Sequence, residues 1–392
     1  MPRKRRKSRI VYTSANQLKL VRGGVDYFQT LIKLIDSSGT SIHIQIYIFA
    51  EDNTGKEVAE ALKNAAKRGV KIFLLVDGYA SQSLSSDFIE DLKSNGIQFN
   101  QFEPIFRRRD FYFGRRMHHK IVVVDGEQGL VGGINISDRY NDVADEPAWL
   151  DWAAHVKGES AATLEQICIE TWNLESGNQS KRLPKKPTHP DYKVNATCLV
   201  GVRRNDWVMR KNQISKTYLD MFRNADKEMI IMSSYFLPGR MFRRGLKRAV
   251  RRGVKIRLIL AGKSDIALAK YAERYMYTWL LRNQIRIFEY QPTVLHGKVA
   301  TMDGHRTTIG SFNVNNISAY SSIELNLDVD NAEFAESVQH QFEKIIQKDC
   351  VEITVDDFKN NTGVFAKFSQ YISYWIVRFT YFIFTFYFKQ KE

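Results

Sequence analysis

At 392 residues the chain exceeds what one ordinary core organises and suits two domains of common size. Its 44% apolar and 26% charged residues, with only eight prolines, are those of a folded protein and exclude a low-complexity chain. A balance of 58 Lys+Arg against 43 Asp+Glu leaves +15, which points to an anionic partner, either nucleic acid or an acidic membrane surface.

The chain begins Met1-Pro2-Arg3-Lys4-Arg5-Arg6-Lys7-Ser8-Arg9, six basic residues in nine. A signal peptide would continue into an apolar stretch, but Ile10-Val11-Tyr12 gives way to Thr13-Ser14-Ala15-Asn16-Gln17. Residues 1–17 therefore read as the basic arm of a cytoplasmic protein, either solvated or in contact with anionic lipid or nucleic acid. Three widely spaced cysteines, Cys168, Cys198 and Cys350, form no CxxC and read as small apolar residues in a reducing compartment.

Ser41 to Phe49 carries β-branched and aromatic residues at strand spacing. A helix over Glu57 to Arg68 follows, with Val58, Ala61, Leu62 and Ala65 on one face; Gly69 ends it and Val70 to Val76 resumes a buried strand. The basic and aromatic run from Arg107-Arg108-Arg109 through Phe111-Tyr112-Phe113 to Arg115-Arg116 is placed to collect an anionic, partly apolar substrate. The same order of elements returns in the second half. Met229 to Phe236 is a strand, Arg240 to Arg251 a helix, and Gly253 to Leu260 a strand, with Tyr235 matching Tyr47. Such connections imply α/β halves, mixed β-sheets flanked by helices. Residues 18–175 form the first domain, 176–195 a linker without apolar period, and 196–355 the second.

Each half carries the same polar phrase. His118-His119-Lys120 with Asp125, then six residues, then Gly132-Gly133-Ile134-Asn135, is repeated as His296-Gly297-Lys298 with Asp303, six residues, and Gly310-Ser311-Phe312-Asn313. The two leading histidines lie 178 positions apart. Strand alternation puts His118 and Lys120 on one face, and His296 and Lys298 likewise. A neutral imidazole can attack phosphorus while a protonated one donates to the leaving oxygen. The lysines supply charge for non-bridging oxygens, and the amides of Asn135 and Asn313 supply donors. Gly132-Gly133 and Gly310-Ser311 allow a backbone to approach phosphate closely. Asp125 and Asp303 end their strands before Gly126 and Gly304, so a turn role is favoured over a catalytic one. Each histidine needs an acceptor for its tautomer. Glu324, 28 residues after His296 in an apolar strand, is one candidate; Asp151 is its counterpart in the first half, with Asp145 and Glu146 as rivals. The remaining histidines recur in no pattern. Few acids and several lysines make a poor metal cage, so neither metal nor cofactor is expected.

Residues 356–392 end the chain as an aromatic tail; within 371–388, ten of 18 residues are aromatic. As a helix this run would be about 27 Å long, near the thickness of a bilayer core. Arg378 disfavours a span and favours a helix lying at the membrane interface.

The doubled phrase resembles the phospholipase D superfamily, and within it the bacterial cardiolipin synthases. The resemblance covers about residues 18 to 350 and includes Ser234-Tyr235-Phe236-Leu237-Pro238 and Ile323-Glu324-Leu325-Asn326-Leu327. It implies two phospholipase D-like domains related by a pseudo-twofold axis, with the active site at their interface. It further implies a metal-independent transfer: His118 attacks one phosphatidylglycerol, His296 protonates the departing glycerol, and a second phosphatidylglycerol takes the phosphatidyl group to give cardiolipin. A phospholipase D yielding phosphatidic acid and a metal-independent endonuclease are the alternatives. The aromatic tail speaks for lipid at the cytoplasmic side of the membrane and against nucleic acid; the sequence leaves oligomeric state unknown.

Overall fold

The computed structural model describes residues 11–103, 115–143, 146–175, 182–184, 197–315, 318–319, 322–360 and 362–389. The basic run 1–9, the Arg107–Arg109 and Phe111–Phe113 stretch, Asp145 and most of the expected linker lie outside the described residues.

The first half supplies strands β1 (Thr13–Arg22), β2 (Ser41–Ile46), β3 (Lys71–Asp77), β4 (Gln98–Phe102), β5 (Arg116–Met117), β6 (Lys120–Val124), β7 (Gln128–Gly132) and β8 (Trp152–Gly158). The second supplies β9 (Thr197–Asp206), β10 (Lys211–Asn212), β11 (Glu228–Ser233), β12 (Lys255–Lys263), β13 (Arg286–Val294), β14 (Lys298–Met302), β15 (Arg306–Gly310), β16 (Ser322–Asp330) and β17 (Cys350–Ile353). In the first half the pairing order is β1-β8-β7-β6-β2-β3-β4. In the second it is β9-β16-β15-β14-β11-β12-β13, the same order, with β17 added at the edge. In each, three parallel strands continue into antiparallel ones. β1 pairs with β9, and β5 pairs with β16, so the two sheets are joined.

Three large cores follow from this order, beside a small cluster of Phe73, Leu75, Phe102, Met117, Trp172 and Ile323. One lies between the first sheet and the helices Val25–Asp36, Asn53–Lys67 and Ser86–Ser94. A second lies between the second sheet and the helices Gln213–Asn224, Arg240–Arg251 and Ala267–Arg282. The third joins the halves, packing Ile121, Val131 and Trp152 with Met232, Val299 and Leu325 under the helices Glu159–Glu175 and Ala332–Asp349. β6 is buried on both faces, which is why Ile121-Val122-Val123-Val124 reads as a continuous apolar run.

The expected elements form with shifted ends. The 57–68 helix starts earlier, at Asn53, because the Asp52 carboxylate caps Gly55 N–H. The strands expected to reach Phe49 and Phe236 stop at Ile46 and Ser233. There the backbone turns to new partners: Asn135 Oδ1 takes the Ile48 N–H, and Val314 O takes that of Leu237. The tail forms a helix, Val364–Lys389, and no described helix is long and apolar enough to cross a membrane.

Candidate active site

β6 and β14 run antiparallel to β2 and β11, so His118-Lys120 and His296-Lys298 come to the carboxyl ends of those parallel strands, Lys120 opposite Ile46 and Lys298 opposite Ser233. Each histidine is then docked on the other half by its backbone. His118 N–H donates to Ile323 O at 2.9 Å, and His296 N–H donates to Leu150 O at 2.8 Å. The acids that follow those carbonyls reach the imidazoles. Glu324 Oε2 lies 2.9 Å from His118 Nδ1, and Asp151 Oδ2 lies 2.6 Å from His296 Nδ1. Nearness in sequence would have given Glu324 to His296; the twofold arrangement exchanges the partners. Of Asp151's rivals, Glu146 is exposed. With both Nδ1 atoms engaged, neither Nε2 atom has a hydrogen-bond partner among the described residues.

Lys120 and Lys298 are almost fully buried beside them. Lys120 Nζ donates to His118 O at 3.0 Å and lies over the Tyr47 ring. Lys298 Nζ bonds His296 O and lies 3.9 Å from Asp151 Oδ2. Burial pushes both ammonium groups below their ordinary range, Lys298 to about 8, against the pull of the two acids. Burial also lowers both histidines. For His118, Glu324 opposes the shift and Lys120 adds to it; for His296 the charges of Lys298 and Lys120 add to it. Asp151 is pushed up to about 6 by burial. The two halves thus share one electrostatic site, in which two buried ammonium groups stand beside two histidine–carboxylate pairs.

The phrases differ in one detail. Ser311 Oγ donates to Glu324 Oε2 at 2.5 Å. At the matching position, Gly133, a Cβ would stand 2.4 Å from both Asp151 oxygens, so no hydroxyl can sit there. Gly132 and Gly310 face the neighbouring strand: a Cβ would meet Trp152 O at 2.3 Å and Leu325 O at 2.2 Å. The contact that requires glycine there is with β8 and β16, where a phosphate contact was expected.

The asparagines also differ. Asn135 holds Ile48 N–H and donates to Tyr140 Oη at 2.9 Å, so its amide is committed. Asn313 accepts from Ser234 Oγ, and among the described residues nothing accepts from its Nδ2. Asp125 and Asp303 sit at the far ends of β6 and β14, roughly 20 Å of extended chain from the histidines. Asp125 takes the N–H groups of Gly39, Thr40 and Ser41; Asp303 takes those of Asp226, Lys227 and Glu228. Among the described residues no group of three or more His, Cys, Asp and Glu is gathered for a metal ion.

Sequence reasoning missed the aromatic wall. Tyr47 meets His118 edge-on at 4.8 Å; Tyr140 meets His296 at 5.2 Å, with Trp149 at 6.1 Å. It also missed Asp265, which accepts from Tyr235 Oη and bears on His296. The match of Tyr47 with Tyr235 was the available signal; Tyr140, Trp149 and Asp265 lie outside the repeated phrase and left none.

Two sheets of one repeated order, contributing crossed histidine–acid pairs and two buried lysines to one shared site, define a duplicated phospholipase D-type protein. A family model described as "Cardiolipin synthase, PLD-like domain" matches twice, at residues 31–172 and 218–346. The chain is 33% identical to cardiolipin synthase B of Shigella flexneri over 350 residues, 87% of this chain and 83% of that one. It is 29% identical to cardiolipin synthase 1 of Bacillus anthracis over 353 residues, 88% of this chain and 67% of that one. The crystal structure of phosphatidylserine synthase from Haemophilus influenzae Rd KW20 shares the fold, with TM-score 0.74 at 13% identity over 95% of this chain and 96% of that one. Polyphosphate kinase from Porphyromonas gingivalis shares it at TM-score 0.58 and 16% identity, over 87% of this chain and 49% of that one. The chain belongs to the cardiolipin synthase family and is a phospholipase D-type phosphatidyltransferase.

Proposed function

We propose that this protein makes cardiolipin and glycerol from two molecules of phosphatidylglycerol, without a metal, through a phosphatidyl-histidine on His118. His118 Nε2 attacks phosphorus, and the bond to the headgroup glycerol breaks as His296 gives that oxygen a proton. A hydroxyl of the second phosphatidylglycerol then attacks phosphorus and passes its proton to His296, and the P–N bond breaks. The crossed histidine–acid pairs carry this reading, because they leave two free Nε2 atoms between buried lysines that offset phosphate charge. The Ser311–Glu324 bond supports His118 as nucleophile, since a carboxylate with an added donor suits a lasting imidazolium ester. Asp151 at about 6 suits a proton shared with His296, the acid and base of the cycle. The aromatic tail, read as an interfacial helix, supports work at a membrane surface, which we assign to the cytoplasmic side, with residues 18–175 and 196–355 as the two domains.

The test is purified protein with phosphatidylglycerol vesicles and, separately, plasmid DNA, both with chelator. Cardiolipin with free glycerol is expected. Phosphatidic acid would replace transfer by hydrolysis, and nicked plasmid with unchanged lipid would replace both. Full activity in His118→Ala would remove the nucleophile assignment.

A further inference from the structure

Two features lie on the outer face of the second half. β11, β12 and β13 are parallel neighbours, and their connections are the helices Arg240–Arg251 and Ala267–Arg282. Right-handed crossovers that step the same way across a sheet cover the same side of it. The first helix, Arg-Met-Phe-Arg-Arg-Gly-Leu-Lys-Arg-Ala-Val-Arg, contains no acid and buries Phe242, Leu246 and Ala249. Arg240, Arg244, Lys247, Arg248 and Arg251 are exposed on its other side, and none has an ion-pair partner among the described residues.

The tail helix packs on the second crossover helix through Tyr374 and Val377, with Tyr275 against Tyr371 and Tyr374. Phe365, Phe368, Ile372, Trp375, Ile376 and Phe379 remain exposed, Phe365 at 92% and Phe379 at 64%. Their spacing makes one helical stripe. Folded proteins do not leave such a stripe in water without an occupant. Met241, Ile266 and Leu268, at the amino ends of the crossover helices, are exposed as well. Those ends lie at the carboxyl ends of β11 and β12, where Ser233 pairs with Lys298 and Asp265 bears on His296. Exposed apolar side chains therefore also stand at the active-site end of these helices.

We propose that this face docks on the surface of a bilayer containing anionic phospholipid, with the aromatic stripe lying in the interface and the 240–251 helix against the headgroups. Its use in delivering substrate rests on the lipid reading above; the docking itself does not. Charge decides the occupant. A twofold partner at this face would bring a second uncompensated basic helix near the first, whereas anionic headgroups neutralise it. Lipid would pass from the leaflet to His118 and His296 without crossing water.

Flotation of the full chain with vesicles of phosphatidylcholine alone, or mixed with phosphatidylglycerol, tests the proposal. Binding should be about tenfold or more stronger with phosphatidylglycerol and should weaken with salt. The triple variant Arg244→Glu, Lys247→Glu, Arg248→Glu should lose the preference for anionic vesicles. Phe365→Ser, Trp375→Ser, Phe379→Ser should lose binding to both. Each variant should keep wild-type turnover of a short-chain, dispersed phosphatidylglycerol, which shows that it is folded. Unchanged flotation of both variants overturns the proposal. So does light scattering in which the aromatic variant splits a dimer while vesicle binding persists. Catalytic failure with intact flotation would remove the cardiolipin reading and leave the docking face.

Discussion

Ser311 and Gly133 occupy matching places in the two phrases, and the difference falls on the acids behind the histidines. Ser311→Ala removes one donor from the buried Glu324 carboxylate, a change worth on the order of 1–3 kcal/mol. Because Glu324 holds His118, formation of the covalent intermediate should slow by about 10- to 100-fold with little change in KM, read by rapid quench. An equal slowing of both half-reactions would contradict the assigned roles. Asp151 gives a pH signature. Its folded-state value of about 6 lies above the ordinary 3.8, so folding favours the protonated form. The stability this provides is full below the ordinary value and is lost as pH rises through about 6. Between about pH 4 and pH 7 the wild type should therefore lose stability relative to Asp151→Asn, by at most about 3 kcal/mol. Denaturant unfolding of both proteins at each pH measures it, and a constant difference would refute it.

At the scale of elements, Asp125 and Asp303 fasten the starts of β2 and β11 by three backbone N–H bonds each. Burial raises their carboxyls, the backbone donors outweigh it, and the net direction is downward. The stability so gained is present above the ordinary value and lost as pH falls through the depressed one. Asp125→Ala should cost about 1–2 kcal/mol at neutral pH and flatten the acid unfolding profile, with turnover of the folded fraction unchanged. A large loss of turnover without loss of stability would return Asp125 to the chemistry. Much of this layer was legible in the chain. Strand and helix order, the doubled phrase and both acids follow from periodicity and from charge within apolar runs. Three things were not. The exchange of Glu324 and Asp151 between halves depends on β5–β16 pairing and on the contact of Leu150 with Leu295, neither of which leaves a local pattern. The requirement for Gly132 and Gly310 comes from carbonyls on strands about 15–20 residues away. Tyr140 and Trp149 look like ordinary aromatic residues until the second half brings His296 to them.

For the molecule as a whole, two similar halves do unlike work. In the proposed cycle one histidine forms a bond to phosphorus and the other moves a proton, although each stands on an acid from the opposite half. The need for a proton depends on the leaving group, so the halves can be separated chemically in the intact chain. With phosphatidylglycerol the departing alkoxide is strongly basic, and both pairs are required. With an aryl phosphatidyl ester the phenolate departs unprotonated, and the first half-reaction needs only the nucleophile. His118→Asn should lower turnover of either substrate by about 10³-fold or more. His296→Asn should lower it similarly with phosphatidylglycerol yet release close to one equivalent of phenolate per active site from the aryl ester, then stall without a base for the second step. Stopped-flow absorbance of the phenolate reads this directly, and mass spectrometry of the quenched His296→Asn protein should find the phosphatidyl group on the peptide containing His118. A burst in His118→Asn, with the label on His296, would reverse the assignment while leaving the crossed site intact. The crossing also fixes which acid follows which histidine: Glu324→Gln should weaken the burst, and Asp151→Asn should spare it. Pairing within each half would give the opposite result, so this one substrate tests both the division of labour and the exchange that the fold imposes.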